Sequence, residues 1–193
     1  MLAHMVGTGN EITIKNLLVA YVGESNAHAM YKQFAVKADA DRFHGVASLF
    51  RSAARAEQIH ASNQARVLRQ MGAEARAEIG VFKVRSTLEN LKTALADEKY
   101  EIGSMYPGFI EEATAHMNST AARAFLWALE AEKTHARLYS ETIALMESGQ
   151  PSSWIDAERE FQVCPVCAYT SEKHEAENCP VCSYPWEMFA VVR

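Results

Sequence analysis

The chain has 193 residues, 49% of them apolar and 22% charged, with a formal net charge of −5. That length accommodates one ordinary domain plus a small module, and it buries a core without covalent staples. The acidic balance argues against a nucleic-acid binder, and no apolar run is long enough for a transmembrane helix.

Residues Met1 to Asn10 carry Gly7 and Gly9 and lack the basic and apolar pattern of a secretory leader. A flexible N-terminus over 1–10 is expected. All four Cys fall after residue 163, and three of the five Pro are Pro165, Pro180 and Pro185. The chain therefore divides into a helix-compatible body and a short Cys/Pro-rich tail. Without a leader, the clustered Cys predict a metal site rather than disulfides, and a cytoplasmic location.

In the body, apolar positions recur at alternating spacings of three and four. The first run is Leu17, Tyr21, Glu24, His28, Tyr31 and Ala35. The second is Val46, Leu49, Ala53, Glu57, His60, Gln64, Val67 and Met71. The third is Leu88, Leu91, Leu95, Glu98, Ile102, Met105 and Phe109. The fourth is Phe125, Ala128, Glu132, His135, Tyr139, Thr142 and Met146. Such runs are the inner seams of long helices packed at small angles. Breaks are expected at 39–41, at about 72–82 and at 114–119. Two short connections flanking a longer crossover predict an all-α, ferritin-like four-helix bundle over 11–146. A linker over 147–160 and a Cys-rich module over 161–193 follow.

The seams hold Glu24, Glu57, His60, Glu98, Glu132 and His135 where Leu or Ile belongs. An isolated ionised side chain is costly to bury unless it is paired or binds a metal. The two hairpins also repeat: Ala56-Glu57-Gln58-Ile59-His60-Ala61 matches Ala131-Glu132-Lys133-Thr134-His135-Ala136. Glu-x-x-His places a carboxylate and an imidazole one turn apart on one face. Two such motifs, with one Glu from each remaining helix, form the donor set of di-iron or di-manganese bundles. The repeat offset is 74 residues at Glu24/Glu98 but 75 at Tyr31/Tyr106, Glu57/Glu132 and His60/His135. One extra residue therefore lies between Glu98 and Tyr106, and a π-bulge commonly absorbs such an insertion. Glu101 lies in that interval. Tyr31 and Tyr106 either hydrogen-bond the carboxylates or simply pack. His28 is expected to be a satisfied core residue, and His4, His44, His116 and His174 surface residues.

In the tail, Cys164-Pro165-Val166-Cys167 and Cys179-Pro180-Val181-Cys182 form two C-x-x-C knuckles. Together they complete a tetrahedral four-sulfur site for iron or zinc. Tyr169, Tyr184, Trp186 and Phe189 supply a small aromatic core. A structural zinc ribbon is the alternative to a one-electron iron site.

With these stretches, and with Asn16-Leu17-Leu18, Gly23-Glu24-Ser25, Glu98-Lys99-Tyr100-Glu101 and Met105-Tyr106-Pro107, the chain resembles rubrerythrin over nearly its whole length. The resemblance implies a ferritin-like di-iron bundle followed by a rubredoxin-like domain. It implies that Glu57 and Glu132 bridge the irons, that Glu24 binds the first, and that Glu98 and His135 bind the second. It implies that Glu101 binds the first iron in the oxidised state and that His60 replaces it on reduction. Tyr31 and Tyr106 would support the ligands, and Cys164, Cys167, Cys179 and Cys182 would hold a third iron; zinc is the alternative occupant of either site. Glycines usual after each second Cys are here Ala168 and Ser183.

The implied activity is reduction of hydrogen peroxide to water in oxidative stress defence. The di-iron site would be re-reduced through the Fe(Cys)4 centre, with electrons from rubredoxin or a separate NADH- or NADPH-linked reductase. A homodimer is implied, with one subunit's rubredoxin-like domain near the other's di-iron site. Nucleic acid and membrane are not expected partners. The alternatives are a ferroxidase or O2-reducing di-iron protein, and a non-enzymatic metal or peroxide sensor with a zinc ribbon.

Overall fold

The computed structural model describes residues 9–149, 152–174 and 176–193. The helices are α1 Gly9–Ala40, α2 His44–Gln70, α3 Thr87–Tyr100, α4 Tyr106–Ala115 and α5 Ser119–Glu147. A π-helical turn, Glu101–Met105, joins α3 to α4 into one rod. It falls where the repeat offset changes. Pro107 follows at the start of α4 and has no N–H to donate, so a widened turn just before it is tolerated.

The short turns after α1 and before α5 are equivalent in the repeat. Arg42 and Met117 both adopt the left-handed conformation there, with φ of 67° and 57°. Asn118 caps α5 by accepting from the Ala121 N–H. The third helix begins later than the expected break, because Ser86 and Glu89 form a reciprocal capping box that fixes Thr87 as its first residue. The crossover thus runs over 71–86. It lies along α1, where the Asn26 side-chain carbonyl accepts from the Gly80 N–H and its amide donates to the Glu78 carbonyl.

Two expectations need correction. Gly9 and Asn10 are helical rather than part of a flexible terminus; residues 1–8, His4 among them, lie outside the described residues. Tyr21 and His28 are only half-buried, and Ala20 and Phe34 take the core positions of α1 instead. A short helix, α6, Ser153–Asp156, sits within the expected linker.

The six seam carboxylates and imidazoles lie between two apolar cores. One contains Tyr31, Phe34, Phe50, Leu91, Leu138 and Tyr139. The other contains Leu17, Leu68, Tyr106, Phe125 and Ala128. These clamps fix the helix phase at the polar layer from both sides.

Beyond α6, the chain forms a three-stranded antiparallel sheet, order β2-β1-β3, from β1 Phe161–Val163, β2 Thr170–Ser171 and β3 Ala190–Val192. Val163 and Ala168 pack on Ala56, Ile59 and Ala131, where small side chains on α2 and α5 permit close approach. The structure thus seats the module on its own chain's bundle.

Gly45 serves this junction. A Cβ there would lie 1.9 Å from the Trp154 carbonyl oxygen and 2.9 Å from that of Ala157. Gly45→Ala is expected to cost about 1–3 kcal/mol, as overpacking against backbone does, and to lower the melting temperature. An unchanged melting curve would refute the close contact. Among the described residues, no helix is long and apolar enough to cross a membrane.

Candidate metal centre

Helical phase brings four helices' polar residues to one level. Glu24, Glu57, His60 and Glu132 form one cluster, and Glu57, Glu98, Glu132 and His135 a second, each with donor atoms within 4.8 Å of one another. Glu57 and Glu132 belong to both. His60 Nδ1 lies 2.9 Å from Glu57 Oε2, 2.9 Å from Glu132 Oε1 and 3.6 Å from Glu24 Oε1. His135 Nδ1 lies 2.7 Å from Glu132 Oε2, 3.5 Å from Glu57 Oε1 and 3.9 Å from Glu98 Oε1. Each shared carboxylate therefore turns one oxygen to each histidine.

All six residues are buried, at 2% exposure or less. Glu24 Oε2 and Glu57 Oε1 are buried without a hydrogen-bond partner. Burial pushes the Glu24 carboxyl up to about 8, and burial with repulsion from Glu132 pushes Glu57 well above the usual range. Glu98 is raised by burial and by Glu132 and Glu101. Burial also acts against the Glu132 carboxylate, but the His60 and His135 imidazoles outweigh it and hold that group low. Four carboxylates cannot all stay ionised here without compensation. Two divalent cations carry the charge that balances them, with oxygen and imidazole donors that suit iron.

Two tyrosines tie carboxylates of the clusters down. Tyr31 donates to Glu98 Oε1 at 2.8 Å, and Tyr106 donates to Glu24 Oε1. Gln64 in turn donates to the Tyr106 hydroxyl at 3.1 Å. Its repeat counterpart is Tyr139, whose ring stands edge-on to Tyr31 at 5.9 Å. The sequence placed Gln64 on the seam but gave no sign of this role.

Glu101, on the π-turn, is outside both clusters; the structure brings His60 in and leaves Glu101 half-buried. Burial and repulsion from Glu24 and Glu132 raise its pKa well above the usual range. Glu101 lines a cavity of about 190 Å³ with Gly23, Asn26, Ala27, Phe82 and Tyr100. His28 bonds the Ala54 carbonyl at 2.6 Å and belongs to neither cluster. His44, His116 and His174 are exposed.

In the tail, all four Cys Sγ atoms lie within 4.8 Å of one another. Cys164–Cys182 and Cys167–Cys179 Sγ separations of 3.5 and 3.4 Å are far too long for disulfides. They approach the roughly 3.8 Å edge of a tetrahedron with metal–sulfur bonds of ~2.3 Å. Ala168 and Ser183 keep the knuckle turn, with φ of 68° and 61°. Ser183 is exposed, so Ser183→Gly relieves left-handed strain without losing packing, and a gain of about 1 kcal/mol is expected. Ala168→Gly forfeits the contact of Ala168 with the bundle and is expected to gain less. Chemical denaturation of the two variants separates these effects.

The first knuckle faces the carboxylate–imidazole layer. Asn63 donates to the Val166 carbonyl at 2.8 Å, and Thr170 Oγ1 lies 3.2 Å from His135 Nε2. Neither residue carried a sequence signal, because both contacts depend on how the module docks.

The rubrerythrin family model matches residues 15–143. The chain belongs to the rubrerythrin family. It is 34% identical to rubrerythrin-2 of Clostridium acetobutylicum, over 84% of this chain and 86% of that protein. It is 33% identical to nigerythrin of Nitratidesulfovibrio vulgaris, over 81% and 75% of the two. Nigerythrin in its fully reduced, all-ferrous state superposes with a TM-score of 0.83 at 32% identity, covering 99% of this chain and 91% of that one. A Desulfovibrio desulfuricans bacterioferritin, at 20% identity and a TM-score of 0.68, shares the fold. This member of the family accordingly carries a di-iron carboxylate site in the bundle and a four-cysteine metal site in the tail.

Proposed function

We propose that this rubrerythrin-family chain is a cytoplasmic peroxidase that reduces hydrogen peroxide to water. The observation that carries the reading is the division of each shared carboxylate between two histidine-bearing clusters, with a cysteine knuckle docked on the same layer. Glu57 and Glu132, shared by the two clusters, would serve both irons. Glu24 and His60 would complete one position, and Glu98 and His135 the other. Cys164, Cys167, Cys179 and Cys182 would hold a third iron. When bound, the two bundle irons supply the two electrons of peroxide reduction, and the cysteine-held iron returns electrons singly.

The chain's own groups do the rest. The cavity lined by Glu101 would be where a small molecule approaches the layer. Glu101, pushed up by its surroundings, holds a proton on its carboxyl and can give it to a departing hydroxide. Once deprotonated, its carboxylate would be a further oxygen donor for the first position. Tyr31 and Tyr106 hold Glu98 and Glu24 in place by donating to their carboxylates. The two apolar cores exclude water from the rest of the layer.

Electrons arrive from rubredoxin or an NAD(P)H-linked reductase. A homodimer fits the unpartnered apolar side chains on α1 and the crossover, where Val36 is 71% exposed and Val81 wholly exposed. The test is NAD(P)H consumption by the iron-loaded chain with an added reductase. The reading requires consumption driven by peroxide and abolished by Cys179→Ser. Oxidation of added Fe(II) by O2 without NAD(P)H, indifferent to Cys179, would mark a ferroxidase; neither activity would mark a sensor.

A further inference from the structure

We infer that Thr170, in the cysteine-bearing module, is a positioning residue for the bundle's metal site: its hydroxyl fixes the tautomer of His135 and leaves Nδ1 as the ring's metal-binding atom. The inference rests on the reading of His135 as a ligand.

A threonine hydroxyl has one proton to give. Thr170 Oγ1 lies 3.0 Å from the Ala168 carbonyl oxygen, which can only accept, so the hydroxyl proton is directed there. The remaining lone pairs face His135 Nε2 at 3.2 Å. With an acceptor opposite it, Nε2 must carry the ring's N–H. Both residues are completely buried, so no water can substitute for either partner. Nδ1 is then the ring atom left for a cation, and it is the one that faces Glu132, Glu57 and Glu98.

Ligating histidines are commonly oriented by an acceptor on the second ring nitrogen. What is particular here is its origin. The acceptor comes from β2, three residues after Cys167, and its proton is tied to the knuckle backbone at Ala168. Docking of the module therefore completes the bundle site.

The test uses the full chain with its cysteine site already filled with zinc. It is titrated with cobalt(II), and the d–d absorbance reports the bundle positions. Thr170→Val keeps the shape and removes the acceptor; Thr170→Ser keeps the hydroxyl. The inference requires that Thr170→Val weaken one of the two cobalt sites by about tenfold or more, with Thr170→Ser within about twofold of the parent. Parent-like binding by Thr170→Val, or equal weakening in both variants, overturns it. A measurement on the unsubstituted protein guards against misfolded variants. In the chain with zinc in the cysteine site alone, long-range ¹H–¹⁵N correlation must show a proton on His135 Nε2, and an Nε2 without a proton overturns the inference. His135→Gln separates the underlying reading: if it binds both cobalt ions normally, His135 is not a ligand.

Discussion

Glu132→Ala is expected to empty the bundle of both irons and to lower peroxide turnover by at least about 100-fold. Glu132 sits in both donor clusters, and each of its oxygens faces a different histidine. Its removal deletes a donor from each position at once. It also leaves His60 and His135 buried beside a deficit of negative charge, a loss of about 3–5 kcal/mol for a broken buried pair. Glu132→Gln preserves the shape but gives up the charge and one anionic oxygen, so iron loss is again expected. The cysteine site shares no donor with this cluster, and its visible absorbance should persist. Iron analysis alongside that absorbance checks both halves. A variant that keeps two bundle irons would show that Glu132 does not bridge them.

The metal-free chain should lose stability as pH rises from about 5 to about 8, with a fall in melting temperature on the order of 10 °C. Burial raises Glu24 to about 8 from its ordinary 4.5, and Glu57, Glu98 and Glu101 also lie above the usual range. Burial opposes protonation of His60, but Glu132 and Glu24 outweigh it and raise that group too. Each of these groups holds its proton more tightly in the folded chain. Their stabilisation is complete below the unfolded pKa and disappears as pH rises through the folded one. Glu132 behaves oppositely, since its carboxylate is held low; its contribution is lost only in acid. Bound iron takes the place of the protons, so the loaded chain should show a much flatter profile, and iron affinity should rise with pH. Thermal scans of both forms across this range provide the check. A metal-free melting temperature that is constant or rising would contradict the charge balance described here.

What could be read from the sequence, and what could not, divides along physical lines. Carboxylates and imidazoles at seam phase are legible because burial forbids them without a partner, whatever the tertiary detail. The change of offset between Glu98 and Tyr106 is equally legible, because an extra residue in a helix must go somewhere, and the π-turn at Glu101–Met105 is where it went. The capping box at Ser86 and Glu89 was present as a local signal that periodicity alone passes over. Gln64, Asn63 and Thr170 are different. Gln64 acts only through Tyr106 on another helix, and Asn63 and Thr170 act across a docking surface. Their roles arise from contacts between elements distant in sequence, which no spacing encodes. Which of His60 and Glu101 stands inside the cluster also depends on three-dimensional placement.

The most direct measurement is stopped-flow absorbance of the anaerobically reduced, iron-loaded chain, mixed in parallel with hydrogen peroxide and with air-saturated buffer. The account predicts that peroxide oxidises the bundle irons and the cysteine-held iron together, much faster than O2 does. Faster oxidation by O2, or a cysteine site that stays reduced while the bundle irons are oxidised, would contradict it.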